Sequence, residues 1–123
     1  MKRGELWMVT LAPRSGSEQR GTRPALIVSS DSFNLSPAWQ SFQVVPISSS
    51  GTQARRSHTS VFLSAGIGGL TRDSYALCHQ LTTLDRQKFG EHLGHLGDED
   101  IKAVERGIVI ALDMLFLLKG FQP

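Results

Sequence analysis

Residues 16–30 read GSEQRGTRPALIVSS, and the change of character halfway along them decides the class of fold. The first half is polar, basic and punctuated by Gly16 and Gly21, which is loop composition. The second half, PALIVSS, is a short apolar run with branched residues. It has the length of a strand and is too short for a helix. Pro24 is expected as the first strand residue, where no ladder hydrogen bond has to be donated.

Working outward, the chain shows more runs of this kind. On the N-terminal side, residues 5–11 (ELWMVTL) are strand-like and Pro13 ends them. On the C-terminal side, DSFNLSPA (31–38) reads as a turn or one helical turn, and SFQVVPI (41–47) as a strand, with Pro46 suggesting an edge or a bulge. SSSGTQARRSH is a second polar, basic loop, TSVFL (59–63) a fourth strand and AGIGG a connection. Residues 73–84 give one or two further strands, LDRQKF a helical turn and EHLGHL a last short strand.

The period then changes. Asp98 reads as an N-cap with acidic residues in the first turn. Ile101, Val104, Ile108, Leu112 and Leu115 recur at helical spacing. The helix is expected to run to Leu118, with Gly120 just past its end. It also carries Val109, Ile110, Met114, Phe116 and Leu117, more apolar surface than one core covers, which points to a dimer interface. Several short strands followed by one helix suggest a small twisted antiparallel β-barrel or half-open sheet, class α+β. The length of 123 residues fits a single domain spanning 1–123.

Composition narrows the function. With 40% hydrophobic residues the chain can build one core, and its single cysteine, Cys78, excludes an intramolecular disulfide framework. The start, MKRGELW, has no apolar signal core, and the longest apolar run is broken by Asp113 and is too short to span a bilayer. A cytoplasmic protein away from membranes is expected. The net charge is +2, but residues 1–60 hold seven Lys/Arg against three Asp/Glu, while residues 61–123 hold six against eight. The basic excess at Arg14, Arg20, Arg23, Arg55 and Arg56 lies in loops and suits a polyanion; a solvated basic surface would give the same count. His58, His79, His92 and His95 have no metal-ligand spacing, GIGG is no phosphate loop, and no Gly-x-Ser-x-Gly elbow is present.

Three ordered blocks carry a resemblance. KRGELWMVTLAPRSGSEQRGTRPALIVSSD (2–31), VVPISSSGTQAR (44–55) and RDSYALCHQLTTLDR (72–86) together resemble the MazF/PemK/Kid toxins. The resemblance implies an SH3-like barrel with one C-terminal helix, a homodimer, and no cofactor. It also implies a ribosome-independent endoribonuclease that cuts single-stranded mRNA at short sequences and is neutralised by a cognate antitoxin. The 2′-hydroxyl of RNA attacks the adjacent phosphorus, leaving a 2′,3′-cyclic phosphate and a 5′-hydroxyl, so the protein has to move protons and stabilise phosphorane charge.

The family pattern assigns residues to these tasks. Arg23, the Arg before Pro, falls in the catalytic groove, and a guanidinium matches phosphate charge and shape. Ser48 stands where the family usually has Thr and keeps the hydroxyl donor. Ser17 replaces a His of the PemK/Kid branch, while Leu77 and His79 stand where that branch has Arg and Asp. His79 is thus a candidate relocated base, with Glu18 as the other candidate. Gln80 suits base reading. Ser17, Arg20, Ser49, Arg55 and Arg56 are expected to hold RNA. Phe42, Phe62 and Tyr75 are expected as core aromatics. The departures leave two alternatives: a family member weakened in catalysis that only binds RNA or protein, and a gyrase-poisoning relative.

Overall fold

In the computed structural model, the described residues are 1–11, Gly16, Glu18, 21–49 and 58–120. They form a seven-stranded antiparallel sheet followed by helix. The elements are β1 (Glu5–Thr10), β2 (Thr22–Ile27), α1 (Asp31–Asn34), β3 (Ser41–Ser48), β4 (Ser60–Leu63), β5 (Ser74–Leu77), β6 (Thr82–Asp85), β7 (Phe89–His95), α2 (Asp98–Ala111) and α3 (Phe116–Gly120). Short 3₁₀ turns at Ile67–Gly69, Cys78–Gln80 and Arg86–Lys88 connect the later strands. The pairing order is β4-β5-β3-β2-β1-β7, with β6 also on β3. The class is therefore α+β, as expected. Among the described residues no helix is long and apolar enough to cross a membrane.

β3 explains its own proline. It pairs with β2 on one side; on the other it pairs with β6 up to Val44 and with β5 from Ile47. Gln43 meets β2, because its carbonyl accepts from Val28 N–H at 2.9 Å. Alternation then turns the Pro46 nitrogen to the other side, at the gap between the two partners. The strand is central rather than an edge, and its proline sits where no N–H is required.

Alternate residues of β1, β2 and β3 feed two separate cores. Leu6, Leu26, Val45 and Ile47 pack with Leu63, Ala76, Cys78 and Val104 on the α2 side. Val9, Ala25, Ile27, Phe42 and Val44 pack with Leu11 and Leu84 on the other. Strands covered on both faces read as continuous apolar runs, which is why PALIV and VVPI show no polar alternation. Each fully buried Leu, Ile, Val or Phe here contributes on the order of 1.5–3 kcal/mol of transfer free energy.

Polar contacts fasten the connections. Ser30 caps α1 by accepting from Ser32 N–H. Buried Asn34 accepts from Ser29 Oγ at 2.6 Å, donates to Ser29 O at 2.7 Å and donates to Asp31 Oδ1 at 3.1 Å. Asp31 also accepts from Arg3 N–H at 2.7 Å. That hydrogen bond, then the one from Asn34, holds the Asp31 carboxyl below its ordinary pKa. Burial works to raise Glu5, but the Lys2 N–H, the Trp7 indole and nearby His92 together bring it below the usual value.

The C-terminal helix differs from the expectation in two ways. Its N-cap is Gly97, not Asp98, because Gly97 O already accepts from Ile101 N–H at 3.0 Å, and Asp98, Glu99 and Asp100 fill the first turn. It does not run unbroken to Leu118, so the single helix is in fact two, α2 and α3. Asp113 has φ 54°, and Asp113 N–H and Met114 N–H donate back to Ile110 O and Val109 O. This is a Schellman ending with aspartate in the left-handed position usually held by glycine. Leu112 just before it and Leu115, Phe116 and Leu117 beyond it are exposed.

Candidate active site

The site is built from the ends of strands. β2 starts at Thr22, two residues earlier than expected, because Thr22 and Arg23 pair with Thr10 and Val9 of β1; Pro24 is thus its third residue. The β2–β3 register runs Ile27↔Val44, Leu26↔Val45, Ala25↔Pro46. Leu26 and Val45 face each other through their backbones, so alternation turns the Pro24 nitrogen toward β3. Proline has no N–H to give there, and the ladder stops. Beyond the last pair, Ala25↔Pro46, two-residue alternation keeps Arg23 on the sheet face of Ala25 and Ser48 on that of Pro46, so the two end their strands on one face.

The face extends across the sheet. Ser48 pairs with Tyr75 of β5, Tyr75 with Phe62 of β4, and on the other side Arg23 pairs with Val9 of β1. Phe62–Tyr75–Ser48 and Arg23–Val9 are therefore two short rows on one face of the sheet. Ser48 is buried at 1% exposure, while Arg23 is half-buried. The Phe62 and Tyr75 rings are 5.4 Å apart at 59°. Phe62 is 51% exposed, so the expectation of a core aromatic fails for it; Phe42, at 0%, is core as expected. The reason is alternation: Val61 and Leu63 face the α2-side core, which turns Phe62 outward.

Residues flanking these rows face the opposite way and line a cavity of about 370 Å³. Thr22, Pro24, Ile47 and Ser49 contribute from β2 and the end of β3, Met8, Glu91 and Leu93 from β1 and β7, and Leu70, Thr71, Arg72 and Ser74 from the segment entering β5. Arg23 lines it as well, so it belongs to both a row and the cavity. Among the candidate residues, the structure thus brings Arg23 and Ser49 together in one cavity, with Ser48 on the adjoining sheet face. Sequence reasoning missed Arg72 and Glu91; the period-two pattern of β7 was the signal that placed Glu91 with Leu93.

Other candidates lie elsewhere. His79 and Gln80 sit in the 3₁₀ turn at the far end of β5, four residues on from Tyr75 at the row. Two extended steps and two 3₁₀ steps put His79 on the order of 11 Å along the chain from Tyr75. His79 Nδ1 is 3.2 Å from Thr59 Oγ1. Glu18 is exposed. Ser17, Arg20, Arg55 and Arg56 lie outside the described residues. Among the described residues no group of three or more His, Cys, Asp or Glu gathers as a metal site.

A half-buried guanidinium lining a cavity, with exposed Phe62 packed on half-buried Tyr75 along the same sheet face, can donate to a phosphate and stack a base. Known proteins carry the same arrangement of chain. The chain is 33% identical over 116 residues to the Endoribonuclease EndoA of Bacillus subtilis, covering 94% of this chain and 97% of that one. Its fold is similar to the crystal structure of MazF from Deinococcus radiodurans, with a TM-score of 0.76 and 25% identity over 93% of this chain and 97% of that chain. It is also similar in fold to a mycobacterial endoribonuclease solved in complex with its cognate antitoxin, with a TM-score of 0.74 and 21% identity over 93% and 96% of the two chains. The family model described as PemK-like, MazF-like toxin of type II toxin–antitoxin system matches residues 2–112. With the whole sheet and α2 inside that match, the chain belongs to the PemK-like, MazF-like toxins of type II toxin–antitoxin systems.

Proposed function

We propose that the chain is a toxin that cuts single-stranded mRNA without ribosome or metal, and that the sheet face carrying Phe62, Tyr75, Ser48 and Arg23 is its catalytic floor. The observation that carries this is that Arg23 lines the cavity at the end of β2 while Ser48 ends the neighbouring strand β3 on the same sheet face. RNA brings its own nucleophile, so what the protein adds is placement and charge. Arg23 neutralises the non-bridging oxygens as the phosphorane forms, and Ser48 Oγ donates to one of them. Phe62 and Tyr75 stack a flanking base. The proton acceptor is Glu18 or His79; Glu18 belongs to the loop before Arg23. Ser17, Arg20, Ser49, Arg55 and Arg56 hold the RNA backbone, and Gln80 reads a base edge.

In this reading residues 1–123 are one toxin domain, an SH3-like barrel acting as a cytoplasmic homodimer. The exposed Leu112, Leu115, Phe116 and Leu117 support a twofold contact. A cognate antitoxin controls it, as the mycobacterial complex suggests by analogy.

The test is incubation of purified protein with a mixed-sequence single-stranded RNA in EDTA. The expected products carry 2′,3′-cyclic phosphate and 5′-hydroxyl ends, and one deoxyribose at a mapped cut abolishes cleavage there. Arg23→Ala slows cleavage roughly 10²–10³-fold, the scale of losing one oxyanion donor. Cutting of the deoxy substrate, or near-normal turnover by Arg23→Ala, refutes the mechanism.

A further inference from the structure

The cavity behind the catalytic rows has features that phosphate chemistry does not use. Arg72 and Glu91 both line it. Among the described residues the ion pairs are Arg3–Glu105 and His92–Glu5, and Arg72 and Glu91 make none, with each other or elsewhere. Two opposite charges thus share one cavity and stay apart. The backbone holds them there. The Ile67–Gly69 turn presses directly onto β7: a Cβ on Gly69 would come within 2.1 Å of Leu93 O, and one on Gly94 within 2.7 Å of Gly68 O. Only glycine permits that approach. Arg72 follows three residues later, where its carbonyl accepts from Ser74 Oγ at 2.8 Å. The rest of the lining mixes apolar Met8, Ile47, Leu70 and Leu93 with the hydroxyls of Thr22, Ser49, Thr71 and Ser74.

Building on the ribonuclease reading, we infer that this cavity is the specificity pocket for a guanine adjacent to the scissile phosphate. The size, about 370 Å³, lies at the small end of ligand sites and suits one base. Single-stranded RNA offers its bases unstacked, with the Watson–Crick edge open. Guanine alone presents there an acceptor, O6, beside two donors, N1–H and the N2 amino group. A guanidinium donates to the first, and a carboxylate accepts from both of the others. The side chains of Leu70 and Leu93 cover the faces of the ring. Arg23 borders both row and cavity, so a nucleotide whose phosphate lies on Arg23 has its neighbour at the mouth of the pocket.

The experiment sequences the ends produced from a randomised single-stranded RNA by wild type, Glu91→Gln and Arg72→Gln, each checked for an unchanged melting curve. Wild type is expected to enrich guanine at one position next to the cut. Replacing that guanine by inosine, which lacks the N2 amino group, slows wild type roughly tenfold and Glu91→Gln only about twofold. Cleavage with no guanine preference beside the cut, or a preference that Glu91→Gln leaves intact, overturns the pocket and leaves the ribonuclease standing. A Glu91→Gln effect confined to inhibitor affinity overturns it too and assigns the cavity to the antitoxin. No RNA cleavage by wild type overturns both readings.

Discussion

Gly107 of helix α2 packs against the Cys78 turn and Val61 of β4, and adding one methyl group there tests how tightly they are fitted. A Cβ on Gly107 would lie 2.6 Å from Cys78 Sγ, 3.2 Å from Cys78 Cβ and 3.6 Å from Val61 Cγ2. The sulfur has little room to yield, since it lies 3.5 Å from Val104 O and 3.9 Å from Ala76 O. Overpacking costs about 1–3 kcal/mol, and the hemmed-in sulfur puts this site in the upper part of that range, about 2–3 kcal/mol. Alanine returns about 1 kcal/mol of helix propensity over glycine. The expected net loss for Gly107→Ala is therefore about 1–2 kcal/mol, or a drop in Tm of roughly 4–8 °C. Cys78→Ala alone leaves a small void and costs about 1 kcal/mol. In the double variant the sulfur is gone, the new methyl occupies part of its space, and stability returns to the level of Cys78→Ala or above. The coupling is then about 1–2 kcal/mol in favour of the pair. Urea unfolding followed by circular dichroism at one fixed protein concentration measures all four corners of this cycle. If Gly107→Ala is as stable as wild type and the two changes simply add, α2 does not rest on the Cys78 turn as described.

Further outcomes follow from other positions. His79→Gln keeps the side chain's size and removes its imidazole; if His79 is the base, the acidic limb of the single-turnover pH profile disappears, and an unchanged profile assigns the base to Glu18. Asp31 has a lowered folded pKa, so its contribution to stability is present above the ordinary carboxylate value and lost as pH falls through the lowered one. The gap in stability between wild type and Asp31→Asn is accordingly widest near neutrality and closes in strong acid, and a constant gap across that range refutes the assignment. Burial pushes the Cys78 thiol up to about 11, so iodoacetamide at mild alkaline pH modifies it only at the rate of unfolding. Asp113→Gly relieves a left-handed residue and raises stability by about 1 kcal/mol, whereas a β-branched residue there lowers it.

Much of this molecule was readable in its chain. The branched runs of β1 to β4 announced strands because their residues are buried on one or both faces. The three blocks around Arg23, Ser48 and Gln80 led to the family. What stayed hidden depended on contacts across strands. The two-residue extension of β2 needs the partner strand β1, and the exposure of Phe62 needs the knowledge that Val61 and Leu63 take the core. Asp113 looked like a charge interrupting an apolar helix; only its backbone angle shows that it ends one. Arg72 and Glu91 are 19 positions apart in sequence, and nothing but the fold of Gly69 onto Leu93 brings them to one cavity.

The double covering of β1, β2 and β3 has a consequence for how the molecule breathes. The amides of Leu26 and Val45 are paired, central and shielded on both sides, so deuterium reaches them only when the whole domain opens. Arg23 and Ser48 lie two residues beyond the last pair of that ladder, where Pro24 has withdrawn its N–H, and each keeps a strand partner on its other side only, Val9 and Tyr75. Their backbone exchanges through smaller openings of one strand pair, which leave the middle of the sheet intact. The rim can thus shift to admit a substrate while the strands that carry it stay closed.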